Sequence, residues 1–126
     1  MKVAVVTDDG NTVSAHFGMA QHYLVYRIED GQIKYRELRD KAAHGPGMEG
    51  HHHTGGAEPG TVVTHTTMLS NVKDCEVVIS RGMGAPMYQF IKNSGMRVFI
   101  TIKERADEAV QELVNGTLDN HTELLH

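Results

Sequence analysis

Apolar residues fall along this chain in short runs separated by polar, glycine-bearing stretches. Val3-Ala4-Val5-Val6 is an unbroken apolar run of strand length, the pattern of a strand buried on both faces. Residues 21–28, QHYLVYRI, have the β-branched and aromatic content of a second strand. Glu29-Asp30-Gly31-Gln32 follows, and Asp-Gly is the strongest short hairpin signal. From Ile33 to Leu38, Ile33 and Tyr35 alternate with Lys34 and Arg36, which predicts a third, polar edge strand. Val62, His65, Met68, Leu69 and Val72 then recur at spacings of three and four, a helical stripe over 61–72. Residues 76–80, EVVIS, and 97–101, RVFIT, read as the fourth and fifth strands. Between them Pro86 opens a helix that carries Met87, Phe90 and Ile91 and ends at Gly95. Thr101-Ile102-Lys103-Glu104 fits a capping box. The helix after it presents Ala106, Ala109, Val110, Leu113 and Val114 on one face and stops at Gly116. Residues 120–126 read as a loose tail.

This order, β-β-β-α-β-α-β-α, predicts an α/β fold. Its sheet is mixed and five-stranded, in the order 3-2-1-4-5, with strand 2 antiparallel and helices on both faces. Strands 1, 3, 4 and 5 then end at one edge. The order reverses between strands 1 and 4, so the loops after them flank the switch point where open α/β sheets bind ligands. Cys75 lies at the far end of strand 4, roughly 17 Å from that rim. It reads as a small buried hydrophobe.

Composition narrows the chemistry. At 126 residues one domain is expected. Residues 1–118 form it, with a Gly/His-rich insert at 41–60 and a tail at 119–126. A single cysteine excludes an internal disulfide. The first residues pass straight into a strand-like run, and no apolar run approaches the ~20 residues that span a bilayer. A cytoplasmic protein without membrane contact is expected. Twelve basic against sixteen acidic residues leave a formal charge of -4, which argues against a nucleic-acid binder. Nine histidines and seven methionines supply soft neutral donors to transition metals.

The unusual motifs all map to the predicted rim. His16-Phe17-Gly18 follows strand 1, and His16 is a candidate ligand to a metal or cluster. Asp8-Asp9-Gly10 is either a hard-metal carboxylate pair or a turn, and turn chemistry favours the latter. His51-His52-His53, with His44 before and His65 after, form a donor-rich patch without zinc-finger spacing. That patch is either a metal capture loop or incidental low complexity, and His65 either packs or ligates. Arg81-Gly82-Met83-Gly84 is either a tight strand-to-helix turn or an anion cradle of backbone N–H groups. Neither a P-loop nor a nucleophile elbow is present.

Two stretches flank the Gly/His-rich insert: VAVVTDDGNTVSAHFGMAQHYLVYRIEDG and VVISRGMGAPMYQFIKNSGMRVFIT. Together the chain resembles the dinitrogenase iron–molybdenum cofactor biosynthesis family over roughly residues 2–113. The resemblance implies a ribonuclease-H-like fold without nuclease activity. It also implies a non-enzymatic carrier of an iron–molybdenum cofactor, its precursor or another metal–sulfur cluster, working with a cluster-delivery or acceptor protein. His16, Phe17 and Gly18 match the family's HFG motif, and Arg81, Gly82, Met83 and Gly84 match its turn motif. Some relatives carry a cysteine just before that turn, where Ser80 and Arg81 stand here. The competing expectation is a module that binds a divalent transition metal through His51, His52, His53 and His65, with His16 common to both.

Overall fold

The computed structural model describes residues 1–41 and 68–126. Five strands form one sheet: β1 (Lys2–Thr7), β2 (His22–Glu29), β3 (Gln32–Asp40), β4 (Val77–Ser80) and β5 (Arg97–Ile100). Two helices are described, α1 (Ala85–Asn93) and α2 (Ala106–Asn115), with short 3-10 turns at Phe17–Met19, Ser70–Val72 and Thr122–Leu124. The sheet order is β3-β2-β1-β4-β5. β2 runs antiparallel to both neighbours, and β1, β4 and β5 are mutually parallel.

β1 occupies the centre because it has the least need of water. Val3, Ala4, Val5 and Val6 are all fully buried, as expected of a strand covered on both faces. Its alternating side chains define two cores. Ala4 and Val6 join Tyr23, Val25, Val78, Val98 and Ile100 beneath Met87 and Ile91 of α1. Val3 and Val5 join Leu24, Tyr26, Val77 and Ile79 beneath Ala106, Ala109 and Val110 of α2. β3 is exposed along most of its length, so the polar edge strand stands where its pattern placed it. The hairpin before it turns on Asp30 and Gly31, both at positive φ (55° and 75°), the primed-turn geometry that matches strand twist.

Three local expectations are corrected. Thr101 does not cap α2. That helix begins at Ala106 behind Arg105, whose side chain makes no cap hydrogen bond. The residues between stay outside the helix, where tertiary partners take their backbone. Val13 N–H donates to Glu104 O (2.8 Å), Ala106 N–H donates to Asn11 O (3.0 Å), and Thr12 bridges Arg105. The C-terminal segment is not loose. The Asn120 side chain accepts from Ile100 N–H (2.9 Å) and donates to Val98 O (3.1 Å). His121 N–H donates to Ile100 O (2.7 Å), and Leu125 packs on the α1-side core. At the end of the 61–72 stripe, Leu69 and Val72 are buried, but Ser70–Val72 is a 3-10 turn. The start of that stripe lies outside the described residues.

Asn120 serves as a side-chain extension of the sheet edge, which gives a direct test. Asn120→Ala should lower stability by about 1–3 kcal/mol, the net worth of two protein hydrogen bonds. Denaturant titration with an unchanged m-value would report it, and an unaltered midpoint would show that the segment is not anchored there.

Candidate functional site

The loops leaving β1 and β4 are joined backbone to backbone. Ser14 N–H donates to Val6 O (2.8 Å), Arg81 N–H to Ser14 O (3.0 Å) and Phe17 N–H to Gly82 O (3.0 Å). The approach is so close that a Cβ on Gly82 would lie 2.2 Å from the Ala15 carbonyl oxygen. The Ser80 hydroxyl bonds Gly82 O (2.7 Å) and holds the turn from below. From the other side comes the C-terminal segment. His126 N–H donates to Met83 O (3.1 Å), and Ala85 N–H donates to His126 O (2.8 Å). The first turn of α1 is thus capped by the chain itself.

Beside this junction lies a half-open cleft of about 300 Å³. Its wall is made by His16, Phe17, Gly18 and Met19 on one side and by Met83, Gly84 and Met87 on the other, with Met68 and His126 closing the ends. Met83 and Met87 are rooted in the core, while His16 and Met19 are exposed. The donors this lining offers are imidazole, thioether and glycine backbone. Its side chains among the described residues include no carboxylate and no thiolate. Such a set suits soft transition-metal chemistry, and methionine adapts its shape to irregular ligands.

One charge lies directly behind the wall. Lys41, at the end of β3, is 1 % exposed. Its Nζ donates to the Phe17 carbonyl and sits 4.6 Å from the Phe17 ring centroid and 6.0 Å from that of Tyr23, within cation–π range. Burial pulls the ammonium down to about 8, and Asp8 opposes that shift. Tyr23 completes the packing: its hydroxyl donates to Met68 O (2.7 Å), and burial pushes its ionisation upward.

Five of the residues singled out from sequence therefore line one cleft: His16, Phe17, Gly18, Met83 and Gly84. Gly82 is the packing point beneath it. Arg81 is half-buried next to the cleft but does not line it. His51, His52, His53 and His65 lie outside the described residues. Sequence reasoning missed Met19, Met68, Met87, His126 and Lys41. The high methionine count was the only signal for the first three, and nothing local marked the others.

The two aspartates belong to the loop. Asp9 accepts the backbone N–H groups of Thr12 (2.8 Å) and Asn11 (2.9 Å) and the hydroxyls of Thr12 and Thr7. These bonds, Thr12 first, hold its carboxyl down at about 2. Asp8 accepts Gln21 N–H (3.1 Å). Cys75 is buried at the opposite end of β4, and desolvation pushes its thiol up to about 12. A larger, open groove of about 700 Å³ lies between β3 and α2. Its Arg36 is paired with Asp107 (3.1 Å), and Tyr26 donates to the same carboxylate, so those groups are already engaged with one another.

The fold is that of a small α/β domain whose rim carries a histidine-bearing loop and a glycine turn. Residues 1–116 match the dinitrogenase iron–molybdenum cofactor family, and the chain belongs to it. An uncharacterized protein of Methanocaldococcus jannaschii is 28% identical over 119 residues, which span 94% of this chain and 90% of that one. Among solved structures, a protein designated PH0822 superimposes with a TM-score of 0.69 at 17% identity, covering 98% of this chain and 97% of its own. The apo form of the orange protein from Desulfovibrio gigas superimposes at 0.65 with 15% identity, covering 94% of this chain and 91% of its own.

The glycines make separable predictions. Gly82→Ala should destabilise by roughly 1–3 kcal/mol, as overpacking does, because backbone cannot swing aside as a side chain can. Gly18→Ala meets nothing within 4 Å and Gly84→Ala only ordinary contacts, so both should fold normally. Equal thermal midpoints for all three variants would refute this. For Asp9 the linkage sign follows from its depressed carboxyl. Its contribution is complete above the ordinary carboxylate range and is lost as pH falls through about 2. The stability gap between wild type and Asp9→Asn should therefore be full at pH 6 and narrow steadily below pH 4.

Proposed function

We propose that this protein is a non-enzymatic carrier of an anionic metal–sulfur cluster, of the iron–molybdenum cofactor or precursor class, bound in the cleft between His16 and Met83. The observation that carries this reading is the lining: imidazole, thioether and glycine backbone. A cluster held there brings its own sulfide, takes one or two imidazole ligands from His16 and His126, and packs its sulfur surface against methionines. The family to which residues 1–116 belong supports the cofactor class. In this reading the sheet is a ribonuclease-H-like scaffold without hydrolysis. The hydrogen bonds of Asp8 and Asp9 support that, since both carboxylates serve the loop backbone. The domain runs over residues 1–118, and the protein exchanges its cargo with a delivery or acceptor protein in the cytoplasm.

Metal and acid-labile sulfide analysis of protein isolated without air tests the proposal. Molybdenum or iron should accompany sulfide, and charge-transfer absorption should weaken several-fold in His16→Ala. Deleting residues 44–56 should spare most of that absorption. A bare divalent ion without sulfide, lost on that deletion, would sink the carrier reading and establish a metal-ion module built on the histidine-rich insert.

A further inference from the structure

The side chains that line the cleft are imidazole, thioether and aromatic groups, donors open to a soft cation and to an anionic cluster alike. The choice lies one atom layer deeper. Lys41 is as buried as any core residue, yet no carboxylate among the described residues lies within hydrogen-bonding distance of its ammonium. Asp8 acts on it only at longer range. Its partners among the described residues are two aromatic faces and the carbonyl of Phe17. A buried ammonium without a carboxylate is costly, and packing alone would be met by a neutral side chain of the same length.

The peptide it grips explains the arrangement. No peptide among the described residues is cis. In a trans peptide the C=O and N–H of the same unit point in opposite directions. With the Phe17 carbonyl drawn inward onto Lys41, the Gly18 N–H is directed the other way, on the exposed side of the turn. Gly18 lines the cleft, and its N–H donates to no group among the described residues. A charged donor on the carbonyl strengthens the acidity of the N–H across the peptide.

Resting on the carrier reading above, we infer that Lys41 is the specificity-determining residue of the cleft. Its ammonium, set behind the Phe17–Gly18 peptide, makes the site select an anionic, sulfur-surfaced ligand over a soft cation. It is a positioning residue, because it acts through the peptide and its field without touching the ligand. Asp8 in the β1 loop and the Tyr23 ring from β2 face it from the other elements.

The test uses two probes of opposite sign, tetrathiomolybdate dianion and Ag⁺. Both are titrated into full-length protein and followed at the methyl resonances of Met19, Met68, Met83 and Met87. Lys41→Met should bind thiomolybdate about tenfold more weakly, the order expected of one partly screened unit charge a few ångströms away. Its Ag⁺ response should be equal or stronger, and Lys41→Arg should restore thiomolybdate affinity. Equal thiomolybdate affinity in wild type and Lys41→Met overturns the inference and leaves the carrier reading standing. Parallel loss of both probes in folded Lys41→Met also overturns it, since that marks a structural role. No thiomolybdate binding by wild type removes both. If Lys41→Met does not fold, salt dependence in wild type decides. A buried charge is little screened, so affinity should fall less than about threefold between 50 and 500 mM KCl. A steep fall would assign the effect to surface charge.

Discussion

Where the β1 loop crosses the β4 turn, two backbones touch with no side chain between them. Ala15 O occupies the volume a Gly82 methyl group would need. Two hydrogen bonds, Arg81 to Ser14 and Phe17 to Gly82, join the β1 loop to the β4 turn past the end of the sheet, and Ser14 to Val6 folds that loop back onto β1. That contact sets the height of the His16–Gly18 turn relative to Met83 and α1. It is also the switch point at which neighbouring strands of an α/β sheet send their connections to opposite faces. The cleft is the space left over once this contact is made.

Two elements then finish the cleft from a distance. The C-terminal segment runs past β5, where Asn120 and His121 bond the backbone of Val98 and Ile100. It ends with His126 on the first turn of α1. A helix start leaves donors unsatisfied, and here His126 O accepts one of them. From the other direction β3 delivers Lys41 across Tyr23 to the underside of Phe17. The edge strand is tied down near the same end, where Arg39, two residues before Lys41, pairs with Asp74, a carboxylate it shares with Lys2. The hairpin, the turn and the C-terminal segment therefore share one frame.

The strands were legible because their signals are local and strong. Four consecutive apolar residues at 3–6, an Asp-Gly turn at 30–31 and the alternation at 33–38 each name their element without tertiary help. Sheet order followed from where the hairpin and the βα units had to go. The family motifs led to five of the residues that wall the cleft. What escaped was decided by partners remote in sequence. The 101–104 pattern satisfies a capping rule, but Val13 N–H takes Glu104 O and the helix starts later, at Ala106. The 120–126 stretch has no apolar period, and its order comes from an asparagine amide filling a strand edge. Lys41 opens a glycine- and histidine-rich stretch, where composition speaks for solvent. Its burial reflects the acceptor and aromatic faces waiting at Phe17 and Tyr23.

The parallel pairing of β1 with β4 carries a kinetic consequence. Gly82 stands 67 residues after Ala15 in the chain, whereas the β1-β2-β3 meander closes through neighbouring strands. Loop-closure entropy must be overcome before such distant contacts contribute anything. Loop-closure entropy therefore favours an order of assembly from meander to parallel pair, in which the cleft forms with the second step. A nascent or partly unfolded chain has the HFG loop in hand but no opposing wall. A ligand bound across the two walls would stabilise the closed pair and so oppose the opening of the contact on which the sheet closes.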